Sequence, residues 1–259
     1  MTPREFLRRR LSRRVALENM TPLEQLRAGS LMRRLVQLGV GLILFGVSLA
    51  LLLRAGLGLE PWGVLAYGVM NFLPLTYGVV SIVISFVVLL LWIPLRQWPG
   101  LATVLNAVIV GLVIDATLAV VPDIKGVGWQ LLALAGSVVG NGLAGALYIG
   151  SQLGPGPRDG LMVGLSRVTG RSIRLVRTSL EIAVVLVGWL LGGVVGIGTV
   201  VYAIGIGPVV QFFLPLVTVR VRRPAPRVRP VPETGDGSKT GDGSETGDGS
   251  ESGPLPDRG

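Results

Sequence analysis

The chain has 259 residues, half of them hydrophobic and only 15% charged, with a net charge of +9 and a mean hydropathy of +0.64. Soluble domains carry about 25% charged residues, and here most of the charge sits in the two tails: between Leu35 and Val217 the acids are Glu60, Asp115, Asp123, Asp159 and Glu181. Cysteine and histidine are both absent, which excludes a disulfide framework, a thiolate nucleophile, the usual zinc and haem ligands and the commonest general base near neutral pH.

The N-terminal segment, residues 1–34, is polar and basic, with Arg4, Arg8, Arg9, Arg10, Arg13, Arg14, Arg27, Arg33 and Arg34. Thr2–Glu5 and Thr21–Glu24 both fit a capping box with proline at the first helical position, and Met20, just before the second box, is an alternative start. Basic clusters beside apolar runs mark the cytoplasmic side and attract anionic lipid headgroups. They lack the row of interleaved aromatics that a base-stacking platform needs, so nucleic acid is not the expected partner. The first apolar run, Leu35–Leu53, is 19 residues long, too long for a signal-peptide core, and no small-residue cleavage site follows it. It reads as a membrane span.

Hydropathy gives six spans, near residues 35–53, 77–95, 101–121, 129–149, 175–194 and 197–217. Two shorter apolar pieces, Pro61–Leu75 and Pro157–Thr169, each open with proline after a glycine-rich turn. Their length suits a re-entrant or interfacial helix better than a crossing. The second also carries Arg158, Asp159 and Arg167, charges that lipid does not tolerate unpaired. Beyond Thr218 the chain is proline-rich and then repeats TGDGS, with nothing to bury, so 218–259 reads as a disordered cytoplasmic tail.

Shifting the chain by 96 positions lays Leu57–Leu118 on Leu153–Leu214 with 16 identities in 62 positions and no gap. The two glycine/proline breaks coincide, and so do three spans on each side. The expected organisation is therefore two membrane repeats, 35–121 and 122–217. Three crossings per repeat is an odd number, so the copies are inverted. With the N-terminus inside, the Arg96 turn and Gly150–Arg174 also fall inside and Asp123/Lys125 falls outside, which satisfies the positive-inside rule. An eight-span arrangement with parallel repeats is the alternative; it places Arg96 outside.

The expected fold is thus an all-α integral membrane protein, six transmembrane helices plus two short ones, with both termini cytoplasmic. A break beside a short helix, repeated with opposite topology, is how discontinuous transporter helices aim their N-termini at a solute. Candidate solute-binding residues are Gly58, Glu60, Pro61 and Trp62 in the first break and Gly154, Gly156, Arg158 and Asp159 in the second. The other reading of these breaks is a pair of tight surface turns leading into interfacial helices, with Trp62 anchored at the headgroups. Asp115 lies within a span and joins the candidates, because an intramembrane carboxylate either serves a site or lies near enough to the interface to meet water. Arg177 and Glu181, four residues apart on one helical face, form a local ion pair or a gate. Asn71, Asn106 and Asn141 fit interhelical hydrogen bonding. No metal cluster, cofactor motif or catalytic constellation is present, so an enzyme is not expected.

The stretches RAGLGLEPWGVL, LATVLNAVIVGLVIDA and LYIGSQLGPGPRDGLMVGL, with TGRSIRLVRTSLE, resemble the YczE/YyaS/YitT group of bacterial multi-pass membrane proteins, over about Thr21–Pro215. Members of that group often carry Asp after Pro-Trp, where this chain has Gly63. The resemblance implies a bacterial plasma-membrane location and brings no defined substrate or cofactor. The function expected is a transporter-like permease for a small solute or ion held between the repeats. The alternative is a membrane regulator or scaffold acting through its basic termini.

Overall fold

A computed structural model describes residues 29–219. The two capping boxes, the arginines before Gly29 and those after Val219, and the TGDGS tail lie outside the described residues.

The described residues form eight α-helices and no strands. They are α1 (Leu31–Ala55), α2 (Pro61–Met70), α3 (Tyr77–Trp92), α4 (Leu101–Val120), α5 (Val127–Gly150), α6 (Pro157–Thr169), α7 (Ile173–Leu190) and α8 (Ile197–Val217). Each stretch expected to be a span or a short helix holds one helix, although α2 ends at Met70 rather than Leu75, α3 at Trp92 rather than near residue 95 and α7 at Leu190 rather than near residue 194. Four of them, α1, α4, α5 and α8, are long and apolar enough to cross a membrane. The other two expected spans are less extreme: α3 has 16 residues, and α7 carries Arg174, Arg177 and Glu181 in its first half.

Local chemistry sets the boundaries. Gly56 at φ 67° closes α1 in the left-handed conformation that glycine enters without a Cβ penalty. Proline opens both α2 and α6, where its fixed φ suits the first turn and its missing N–H is not needed. Thr76 and Ser172 cap α3 and α7, accepting from the N–H groups of Val79 and Leu175.

α1 runs beside α4 and α5, and α5 also packs on α8. Glycines make the approaches close: a Cβ on Gly46 of α1 would sit 2.7 Å from the Val113 Cβ of α4. The start of α1 meets the end of α5 through Arg34, a fully buried side chain whose Nε and Nη2 donate to the carbonyls of Ser151 and Gln152 at 2.8 and 2.7 Å. These are carbonyls that a helix end leaves without internal partners. At the other end of α1, Arg54 donates to Asp123 at 2.6 Å. The outer faces are apolar, with Leu190 and Val120 78% exposed and Ile204 71% exposed. Exposed apolar surface spread over several helices is what a lipid solvent calls for.

The two breaks engage the opposite half of the chain in the same way. The N–H of Gly198, in the first turn of α8, donates to the Leu57 carbonyl at 2.8 Å, and the N–H of Ala102, in the first turn of α4, donates to the Leu153 carbonyl at 3.0 Å. Donors and acceptors in the two bonds are each 96 residues apart. Gly58 and Gly154 follow the acceptors at φ 115° and 118°, a region that side chains rarely enter.

Candidate functional site

Docked this way, the breaks bring the first turns of α2 and α6 to one cavity of about 260 Å³ to which all eight helices contribute. Of its 28 lining residues, 22 fall into eleven pairs separated by 96 positions. Among them are Phe45 with Asn141, Glu60 with Gly156, Trp62 with Arg158, Ser81 with Arg177, Ser85 with Glu181 and Asn106 with Tyr202. The positions correspond while the chemistry differs: Arg158, Asp159, Arg177 and Glu181 come from the second half of the chain, and Glu60 from the first.

Glu60 is the residue before α2 and is only 3% exposed. Its carboxylate folds over the first turn: a Cβ on Gly63 would lie 2.7 Å from the Glu60 Cδ and 2.5 Å from the Tyr77 hydroxyl. Glycine at position 63 thus leaves room for a carboxylate reaching in from position 60. The Glu60 Oε1 faces Arg158 Nη1 at 3.8 Å, an ion pair beyond hydrogen-bonding distance. The Arg158 guanidinium lies over the Trp62 ring, 5.2 Å from its centroid, a cation–π arrangement that holds the charge at the cavity wall. The Tyr148 hydroxyl donates to Asp159, and Tyr202 donates to the Asn141 Oδ1 at 2.8 Å. The Trp92 indole N–H donates to the Pro157 carbonyl at 3.0 Å and so fixes the start of α6. Arg177 and Glu181 pair at 2.9 Å and line the same cavity.

The structure therefore brings together Glu60, Pro61, Trp62, Gly156, Arg158, Asp159, Arg177 and Glu181. Gly58 and Gly154 do not line the cavity. They lie behind it, against Gly196 and Thr199 in one case and Gly100 and Thr103 in the other. Asp115 is also outside the lining set. Its Oδ1 accepts from the Gly78 N–H at 2.8 Å, and its Oδ2 accepts from the Thr76 hydroxyl. Asp115 thus caps α3 from a neighbouring helix, which satisfies its charge with an otherwise orphaned backbone donor.

Tyr148, Tyr202, Ser81 and Ser85 line the cavity without a local signal in the sequence, and Asn141 both bridges α5 to α8 through Tyr202, as expected, and lines the cavity. A signal existed for several of them: the 96-residue shift maps Ser81 and Ser85 onto Arg177 and Glu181, and Asn106 onto Tyr202.

Four long apolar helices, an apolar exterior and an inner cavity lined by Glu60, Arg158, Asp159, Arg177 and Glu181 define a multi-pass helical membrane protein. Residues 32–215 match the model of DUF6198, a family of unknown function, and the chain belongs to that family. It is 41% identical over 176 residues to an uncharacterised protein of Haemophilus influenzae strain Rd, covering 68% of this chain and 81% of that one. It is 33% identical over 178 residues to the uncharacterised membrane protein YczE of Bacillus subtilis, covering 68% and 82%. The B. subtilis protein YyaS is 27% identical over 183 residues, covering 69% and 91%. The resemblance carried by the two Leu-Gly…Pro motifs thus holds for YczE and YyaS. No solved structure matches the chain.

Proposed function

We propose that this protein is a transporter-like permease of the bacterial plasma membrane rather than an enzyme, and that it binds a small solute between two inverted repeats. The observation that carries the reading is the cavity itself, lined by eleven pairs of residues 96 positions apart and entered by the N-termini of both short helices. In repeat-built transporters the solute site lies at the repeat interface, and half-helix N-termini point at it. A volume of about 260 Å³ falls below the ~300–1,000 Å³ typical of drug-sized ligands, so the solute is small.

The inverted arrangement is supported by contacts between segments that charge bias assigns to one side. Arg54 meets Asp123 on the outer side, and Arg34 meets Ser151 and Gln152 on the inner side. In this scheme α1, α3, α4, α5, α7 and α8 cross, while α2 enters from outside and α6 from inside. Both termini are then cytoplasmic, where the basic segments meet anionic headgroups.

The test is flux. Purified full-length protein in liposomes should move at least one small polar solute faster than empty liposomes, and Arg158→Met should abolish the difference. A panel of amino acids, amines, carboxylates, sugars and ions that neither binds nor moves would overturn the permease reading and favour a non-transport role for the termini.

A further inference from the structure

Three residues that line the cavity each carry a buried polar atom with no hydrogen-bond partner: Oε2 of Glu60, Nε1 of Trp62 and Nδ2 of Asn141. Their residues are 3%, 7% and 2% exposed, and an unsatisfied buried polar atom costs about 1–3 kcal/mol, more when it is charged. The set has a definite polarity. Glu60 offers an anionic acceptor. Trp62 and Asn141 offer N–H donors, the latter because Asn141 Oδ1 is already occupied by Tyr202. Beside them stands the Arg158 guanidinium, held by Trp62 and only loosely matched to Glu60 at 3.8 Å.

We infer that the solute of the proposed permease is a small zwitterion of amino-acid type, its ammonium group bound by Glu60 and its carboxylate by Trp62, Asn141 and Arg158. This inference rests on the permease reading for its biological meaning and on the three unpartnered atoms for its chemistry. A simple anion would satisfy the donors and leave the Glu60 carboxylate buried against a like charge. A simple cation would satisfy Glu60, meet Arg158 and leave two N–H groups dry. An uncharged polyol can hydrogen-bond all three atoms but compensates neither charge. Only a molecule carrying both signs answers every open group, which is the differential that specificity requires. The first turns of α2 and α6 strengthen the carboxylate end: each begins with proline, their first intrahelical bonds are donated by Val64 and Gly160, and the positive ends of both helices lie at the cavity.

The experiment measures binding to the full-length protein in detergent micelles by calorimetry and uptake into proteoliposomes. The probes are the uncharged-side-chain proteinogenic amino acids and 4-aminobutyrate, each beside its deaminated acid and its decarboxylated amine; for L-alanine these are propionate and ethylamine. At least one zwitterion should bind ten times or more tighter than both of its singly charged analogues. Glu60→Gln should reduce its preference over the matched acid to threefold or less. Trp62→Phe, which keeps an aromatic face under Arg158 and removes the N–H together with part of the indole, should weaken the zwitterion about tenfold while circular dichroism stays unchanged. An acid or amine binding as tightly as its zwitterion, or no zwitterion binding at all, overturns the inference. Uptake of a singly charged or uncharged solute alone overturns it and leaves the permease standing. Zwitterion binding without uptake keeps the site and overturns the permease.

Discussion

The ion pair between Glu60 and Arg158 should respond asymmetrically to the loss of either partner. At 3.8 Å and an effective dielectric near 20, the gross attraction is about 4 kcal/mol. Arg158 is 24% exposed and Glu60 3%, so water screens one end, and roughly half of that attraction should survive as coupling. Arg158→Met strands a carboxylate in the interior and should cost about 2–3 kcal/mol, below the ~3–5 kcal/mol for breaking a fully buried pair because Arg158 is partly exposed. Glu60→Gln removes the buried charge instead, and the remaining guanidinium reaches solvent, so it should cost about 1 kcal/mol or less. The double variant should be more stable than the two single losses sum to, by about 2 kcal/mol. Unfolding of the full-length protein by SDS from mild-detergent micelles, followed by circular dichroism, reads all four corners of this cycle. Additive losses, or a Glu60→Gln loss exceeding that of Arg158→Met, would refute the pairing and with it the contact between the two short-helix entrances.

Three further outcomes follow from individual packing contacts. Gly63→Ala places a Cβ 2.7 Å from the Glu60 Cδ and 2.5 Å from the Tyr77 hydroxyl; it should cost about 1–3 kcal/mol in the same unfolding assay and displace Glu60, weakening solute binding by more than it weakens the fold. Gly58→Ala and Gly154→Ala, at φ 115° and 118°, should each lose about 1–3 kcal/mol to backbone strain. Gly58→Ala should lose more, since its Cβ would lie 2.6 Å from the Gly196 nitrogen against 3.1 Å for the nearest neighbour of a Gly154 Cβ. Asp115→Ala removes the cap of α3 and should cost about 1 kcal/mol, while Asp115→Asn keeps an acceptor for the Gly78 N–H; both should leave calorimetric solute affinity unchanged.

The helices were legible because their signals are local. Pro61 and Pro157 open α2 and α6, Gly170 ends α6, and the apolar runs set the long elements. The partners of the breaks were legible only as a correspondence: Gly100 and Gly196 align in the shifted sequence, but that Leu57 bonds the α8 end and Leu153 the α4 end is a tertiary fact. Asp115 shows the limit most clearly. Its acceptors serve Thr76 and Gly78, 39 and 37 residues away, and a carboxylate inside an apolar run looks the same whether it meets a solute or a helix end. Asn141 was legible as a bridge between helices, which it makes with Tyr202, while its place and that of Tyr148 on the cavity wall were not, since an amide or an aromatic within a span ordinarily bridges or packs helices.

The opposed entry of the two short helices is tested most directly by compartment. The chain has no cysteine, so single cysteines placed at the exposed positions Lys125 and Arg171 report without background. In intact cells a membrane-impermeant maleimide should label Lys125→Cys and should reach Arg171→Cys only after permeabilisation. Equal labelling of both from one side would place the two halves of the chain in the same orientation and contradict the inverted architecture.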